Sequence, residues 1–135
     1  MAARIGIRRE DKSRWERRVP LAPAHVERLV RDGLEVVVQP SGRRVYPDER
    51  YLEAGATLDE DLSDAPLVFA VKEIPTSRLE PGKTYIYFAH VIKGQPYNMP
   101  MLRALMDRGC TLIDYERVVD ENGRRLILFG RHAGL

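Results

Sequence analysis

Three places in this chain put side chains capable of proton transfer directly after short apolar runs. Lys72-Glu73 follows Leu67 to Val71, His90 follows Tyr85-Ile86-Tyr87-Phe88-Ala89, and Asp114-Tyr115-Glu116 follows Thr111-Leu112-Ile113. Runs of that length read as buried strands, and in an open α/β sheet the ligand crevice lies at the carboxyl ends of the strands, so these are positions where site residues collect. An unperturbed lysine titrates at about 10.4 and a histidine at about 6.5, and burial or a neighbouring cation brings the lysine towards neutrality. One of the two can then give a proton while the other takes it. Carboxylates such as Glu73 and Glu116 beside them would hold the pair in geometry and tune it. Taken singly, each position has a plainer reading: a strand-end histidine is more often structural, and a Lys-Glu pair ahead of a proline turn usually faces solvent. The set of three carries the argument.

A second cluster is basic. Between residues 4 and 18 stand Arg4, Arg8, Arg9, Lys12, Arg14, Arg17 and Arg18 against Glu10, Asp11 and Glu16. A solvated charged loop is the ordinary explanation of such a run. The alternative is an anion site, because the planar guanidinium fork of Arg17, Arg18, Arg124 or Arg125 matches a carboxylate bidentately. Spacing alone does not choose among these arginines.

The elements that would carry these groups alternate in the α/β manner. Arg4 to Arg8 reads as a first strand. Pro23 to Asp32 reads as a helix with Val26, Leu29 and Val30 on one face and Gly33 at its left-handed terminus, followed by a strand at Glu35 to Gln39. Asp48 to Ala54 forms a short helix between Pro47 and Gly55, and Leu67 to Val71 and Thr84 to Phe88 are strands. Asn98 is placed to cap a helix whose buried face is Leu102, Leu105 and Met106 and which Gly109 ends, ahead of a strand at Thr111 to Asp114. Arg117 to Val119 and Arg124 to Leu128 flank Asp120-Glu121-Asn122-Gly123, and Asn-Gly is a strong hairpin signal. The expectation is one α/β domain over residues 1–135, with an open, largely parallel twisted sheet flanked by helices and a β-hairpin near its end. No strand is followed by G-x-G-x-x-G, so the turn that cradles a dinucleotide pyrophosphate is missing.

Composition narrows the class further. At 135 residues and 44% hydrophobic content the chain has the size of one domain with a modest core. The net charge is +2, from 22 Lys plus Arg against 20 Asp plus Glu, too balanced to argue for nucleic acid or a membrane. No stretch approaches the roughly 20 apolar residues that span a bilayer, and Met1 to Arg9 does not read as the apolar core and cleavage site of a secretory leader. A soluble, cytoplasmic-type protein is expected. The single cysteine, Cys110, lacks a disulfide partner and metal-ligand neighbours, and reads as a small buried hydrophobe; no metal site is expected. The closing Arg131-His132-Ala133-Gly134-Leu135 reads as an interruption, from truncation or a split gene, rather than a natural terminus.

Several segments together carry a family resemblance: Arg8-Arg9-Glu10-Asp11, Trp15 to Pro23, Val71-Lys72-Glu73, Phe88 to Gln95, Ile113-Asp114-Tyr115-Glu116, and Gly123-Arg124-Arg125 through Gly134. Over nearly its whole length the chain resembles the amino-terminal, substrate-side domain of lysine-ketoglutarate reductase and saccharopine dehydrogenase, within the alanine dehydrogenase and pyridine nucleotide transhydrogenase superfamily. The resemblance implies that Lys72 and His90 are the acid/base pair at the imine carbon. It further implies that Arg18 and Arg125 bind substrate carboxylate, that Lys93 lines the site, and that Glu73 and Glu116 modulate the pair. The implied reaction interconverts lysine plus 2-oxoglutarate with saccharopine, using NAD or NADP held by a Rossmann-type domain supplied in cis or in trans. That domain is not in this sequence, so no cofactor is expected on the chain alone, which would be inactive by itself. Homo-oligomerisation stays open. The rival readings are an alanine dehydrogenase or transhydrogenase domain, and a stand-alone anion-binding regulatory module.

Overall fold

The structure, a computed structural model, describes residues 3–89 and 96–127. Six strands form one wholly parallel sheet: β1 (Arg4–Ile7), β2 (Glu35–Val38), β3 (Thr57–Leu58), β4 (Leu67–Phe69), β5 (Thr84–Tyr87) and β6 (Thr111–Asp114), in the order β3-β2-β1-β4-β5-β6. Three helices connect them, α1 (Pro23–Arg31), α2 (Asp48–Glu53) and α3 (Met99–Asp107).

Side chains alternate across the strands, so the sheet has two apolar faces. One buries Ile5, Ile7, Val36 and Val38 against Val26 of α1 and Tyr51 and Ala54 of α2. The other buries Val68, Tyr85 and Tyr87 against Met101 and Leu105 of α3 and against Leu62. Helices therefore cover opposite faces of the two halves, the doubly wound arrangement.

All three helices end alike. After α1, Gly33 at φ 97° lets its own N–H reach Val30 O and that of Leu34 reach Leu29 O. Gly55 does the same after α2, with Ala56 bonding Tyr51 O, and Gly109 after α3, with Cys110 bonding Leu105 O. These are Schellman termini, in which a residue without a Cβ penalty at positive φ satisfies the last carbonyls and turns the chain into the following strand.

Several details depart from the sequence reading. The two-residue strand β3 was not anticipated, being too short to carry a periodic signal. Met106 is 72% exposed, not part of the buried face. Met101 and Leu105 share one stripe, and the residue after Leu105 lies about 100° further round. Asn98 precedes α3, but its side chain makes no cap: its Nδ2 donates to Ala89 O at 3.2 Å in a fully buried position, tying the helix start to the end of β5. Cys110 is only half-buried, its Sγ 3.2 Å from Glu80 O. As far as Ile127, the expected hairpin is a tight turn with one antiparallel bridge, Val119 to Arg125, rather than a ladder. Asp120 organises it by accepting the N–H groups of Asn122 and Arg124 at 2.9 Å, while Gly123 supplies the positive φ of 80°.

Candidate functional site at the sheet's switch point

Strands β1 and β4 lie side by side, yet from β1 the chain winds outward to β2 and β3, and from β4 the other way to β5 and β6. The loops leaving their carboxyl ends therefore diverge and open a crevice, the usual ligand position in such a sheet. The two most chemically loaded segments, Arg8 to Arg18 and Lys72-Glu73, start there.

The loops are joined across that crevice by Glu10. Its Oε2 accepts the N–H of Val71 at 3.0 Å and its Oε1 that of Lys72 at 2.7 Å. Burial pushes the Glu10 carboxyl above its usual range, against the opposing pull of those two N–H groups and of Arg8. Lys72 and Glu73 are both half-buried, not solvent-facing. Glu73 accepts Lys12 Nζ at 2.8 Å, so the acid beside Lys72 is bound to a cation from the β1 loop.

The basic run does not act as one patch. Arg4, at the amino end of β1, sits on the opposite edge of the sheet and pairs with Glu35 at 2.7 Å and Asp64 at 3.4 Å. Arg8 is buried and grips Asp11 through both terminal nitrogens at 3.0 and 2.6 Å. Arg9 pairs with Glu60 and donates to Pro40 O at 2.8 Å. Arg14 lies over the Trp15 ring, 4.6 Å from its centre. Arg18 holds Glu16 through Nε at 2.8 Å and Nη2 at 2.6 Å, and its backbone N–H adds a third contact at 3.1 Å. The Glu16 side chain is only 6% exposed, and Arg18, with a further contribution from Lys72, holds its carboxyl below the usual range. Thus Arg18, Glu16, Glu10 and Lys72 form one electrostatic cluster, and a substrate carboxylate bound by Arg18 would meet a guanidinium already engaged by Glu16.

Among the described residues, three side-chain polar atoms are buried without a hydrogen-bond partner: Arg44 Nη1, Asp114 Oδ2 and Tyr115 Oη. Arg44 is otherwise anchored, its Nη2 donating to Gln39 O at 2.6 Å, and burial lowers its pKa. Asp114 uses its other oxygen to accept the N–H of Glu116 at 3.0 Å, which shapes the single 3-10 turn after β6. The Tyr115 ring packs on Phe88 with centroids 4.8 Å apart, and burial pushes its phenol well above the usual range.

Of the residues singled out from sequence, Lys72, Glu73 and Arg18 come together at the switch point. Glu116 lies on the same edge of the sheet because β6 is parallel to β4, two strands away and so roughly 10 Å along the sheet. Arg125 is exposed on the antiparallel turn. His90 and Lys93 lie outside the described residues. Sequence reading missed Glu10, Glu16 and Lys12. The sequence does carry a signal for Glu10: Arg8-Arg9-Glu10 follows β1 as directly as Lys72-Glu73 follows β4. Among the described residues no group of His, Cys, Asp or Glu side chains could hold a metal ion, and no helix is long and apolar enough to cross a membrane.

Comparison with known proteins agrees with the fold. Residues 6–135 match the family described as "Alanine dehydrogenase/PNT, N-terminal domain". The chain is 46% identical over 131 residues to the mitochondrial alpha-aminoadipic semialdehyde synthase of Bos taurus, covering 97% of this chain and 14% of that protein. It is 35% identical over 136 residues to the NAD(+), L-lysine-forming saccharopine dehydrogenase of Yarrowia lipolytica, covering 97% of this chain and 37% of that one. A solved L-alanine dehydrogenase superposes with a TM-score of 0.72 at 26% identity, over 89% of this chain and 34% of that one. The chain therefore spans well under half the length of each of these relatives.

Proposed function

The chain belongs to the alanine dehydrogenase/PNT amino-terminal domain family, and from that premise we propose that it is the substrate-binding, acid/base half of an oxidoreductase of lysine metabolism that interconverts lysine plus 2-oxoglutarate with saccharopine. The observation that carries the reading is the fixing of Lys72 at the switch point, with Glu73, Glu16 and Arg18 around it. The identities to the semialdehyde synthase and to saccharopine dehydrogenase favour this branch over alanine dehydrogenase, whose likeness supports the shared fold.

In this reading Lys72 and His90 exchange protons with the groups at the imine carbon, one giving while the other takes. Arg18 and Arg125 bind substrate carboxylate, Lys93 lines the site, and Glu73 and Glu116 tune the pair. The Glu73 to Lys12 contact places a compensating cation beside that carboxylate, so Glu73 acts on Lys72 as part of an ion pair rather than as an isolated charge.

The residues present do not fit a dinucleotide on this chain. A pyrophosphate needs a short glycine-bearing turn between the first strand and a helix N-terminus. Here β1 is followed by Arg8-Arg9-Glu10-Asp11, with Glu10 committed to β4, and α1 begins only at Pro23. NAD or NADP would therefore be held by a partner domain. Titration calorimetry of the isolated chain with NADH and with NADPH is expected to show no binding beyond that of an unspecific anion. Micromolar affinity for either would place the cofactor here and overturn this division of labour.

The reaction itself is tested after joining the chain to a nucleotide-binding domain in cis or in trans. Nicotinamide oxidation dependent on both lysine and 2-oxoglutarate is expected. Oxidation supported instead by pyruvate and ammonia would establish the alanine dehydrogenase reading.

A further inference from the structure

The ladder that pairs β1 with β4 stops at Arg8, whose N–H reaches Phe69 O at 3.0 Å, because the chain leaving β1 turns away into its loop. On its other side β4 stays paired beyond its end: Ala70 N bonds Ile86 O and Val71 O accepts Phe88 N. Val71 and Lys72 thus present two consecutive N–H groups to a place where no strand remains to receive them. Consecutive N–H groups form a small anion-binding concavity, and leaving them unpaired in the interior would be costly. The Glu10 carboxylate fills that concavity, one oxygen to each N–H, from 61 and 62 residues away in sequence.

We propose that Glu10 is a positioning residue for Lys72: by accepting the N–H groups of Val71 and Lys72 it fixes the turn that leaves β4 and so sets where the Lys72 side chain enters the cleft. The consequence for turnover rests on Lys72 being an acid/base group. A carboxylate suits the task because both of its oxygens accept, and charge-assisted contacts are the shorter and stronger kind. Glutamine would turn an NH2 group against one of the two N–H donors, and aspartate falls short by one methylene. Glu10 does not act alone electrostatically: Arg8, Glu16, Arg18, Arg44 and Tyr115 all interact with its charge from the β1 loop, the segment before α2 and the turn after β6.

The full 135-residue chain, labelled with ¹⁵N and ¹³C, gives the first readout and needs no variant. On raising the pH, the Val71 and Lys72 amide resonances are expected to shift together with the Glu10 carboxyl carbon, at one shared midpoint above the ordinary carboxylate range. Glu10→Gln removes that shared titration while resonances elsewhere keep their dispersion. Kinetics of the assembled enzyme give the second readout, which a merely structural role would not move. Since a small misplacement of a reacting group costs up to about 10²-fold, Glu10→Gln should lower turnover roughly 10- to 100-fold with KM little changed, and leave both limbs of the pH profile in place. Lys72→Met, by contrast, should remove a limb. Amides that stay flat while the Glu10 carbon titrates would overturn the proposal, as would Glu10→Gln turnover within a factor of about two of wild type when Lys72→Met has abolished it. If Lys72→Met itself left turnover intact, the acid/base reading would fall and the amide titration alone would decide the positioning role.

Discussion

In the enzyme assembled with its nucleotide-binding domain, Lys72→Met and His90→Gln are each expected to lower turnover roughly 10²- to 10⁴-fold, with much smaller effects on substrate KM. That range is what a positioned proton-transfer group supplies, whereas a residue that only lines a site acts chiefly on binding. The surroundings of Lys72 suit the role: its backbone is held by Glu10, its side chain is half-buried, and its charge is felt by Glu16. The two variants should also differ in pH dependence, since each removes one group of the pair and therefore one limb of the bell. Arg18→Ala provides the contrast. With Arg18 binding substrate carboxylate as proposed, the change deletes a charge-assisted contact made in ground and transition states alike, worth about 1.5–3 kcal/mol, so KM for the carboxylate substrate should rise roughly 10- to 100-fold with turnover comparatively spared. Steady-state kinetics with lysine and 2-oxoglutarate decide the matter. Turnover within a factor of about two for both the Lys72 and the His90 variant would show that the roles assigned to them are wrong.

Tyr51→Ala is expected to destabilise the domain by about 3–5 kcal/mol, the usual cost of emptying a large aromatic site in a core. Tyr51, on α2, is wholly buried in the cluster formed with Val26 of α1 and the residues of β1 and β2, its hydroxyl donates to Leu21 O at 2.8 Å, the Tyr46 ring meets it edge-on at 6.4 Å, and the Arg44 guanidinium lies 5.3 Å from its centre. Removing the ring also strips Arg44 of that contact, leaving its Nη1, which has no hydrogen-bond partner, only the 3.9 Å ion pair with Asp48. Tyr51→Phe isolates the hydroxyl and should cost about 1–3 kcal/mol, because Leu21 O is left unsatisfied. Urea unfolding with linear extrapolation measures both. A loss below about 1 kcal/mol for the alanine variant would mean that this half of the core collapses to fill the space, contrary to close packing. The same tyrosine gives a pH signature. Burial pushes its phenol up to about 12. A folded pKa above the unfolded value contributes stability that is fully present below pH ~10 and is lost as pH rises through about 12. Stability should therefore fall steeply across that window, and Tyr51→Phe should lessen the fall.

Much of the architecture was legible because it is written locally. The Val- and Ile-rich runs appeared as strands within a residue or two, and Gly33, Gly55 and Gly109 marked the helix ends at which the structure places them. Where the reading failed, either a distant contact or a buried stripe narrower than expected outweighed the local signal. Asn98 looked like a cap and instead bonds Ala89. Met106 looked like core, yet α3 buries only a narrow stripe. Thr57-Leu58 becomes a strand only because β2 lies beside it.

For the site, the order of apolar runs and turns is enough to say which chemistries are available and at which strand ends they stand: Lys72-Glu73 after β4 and Glu116 just beyond β6. The pairings, by contrast, come from the packing of the strands. In sequence, Arg4, Arg8, Arg9, Lys12 and Arg18 are one basic stretch; in space Arg4 faces the opposite edge of the sheet, Arg8 turns to Asp11, Lys12 crosses to Glu73 and Arg18 closes on Glu16. The physical reason is that an ion pair or hydrogen bond acts over a few ångströms, while the neighbour at that distance is chosen by strand order. Placing β1 against β4 brings Glu10 to the N–H groups of Val71 and Lys72, and no local pattern in either segment announces that meeting.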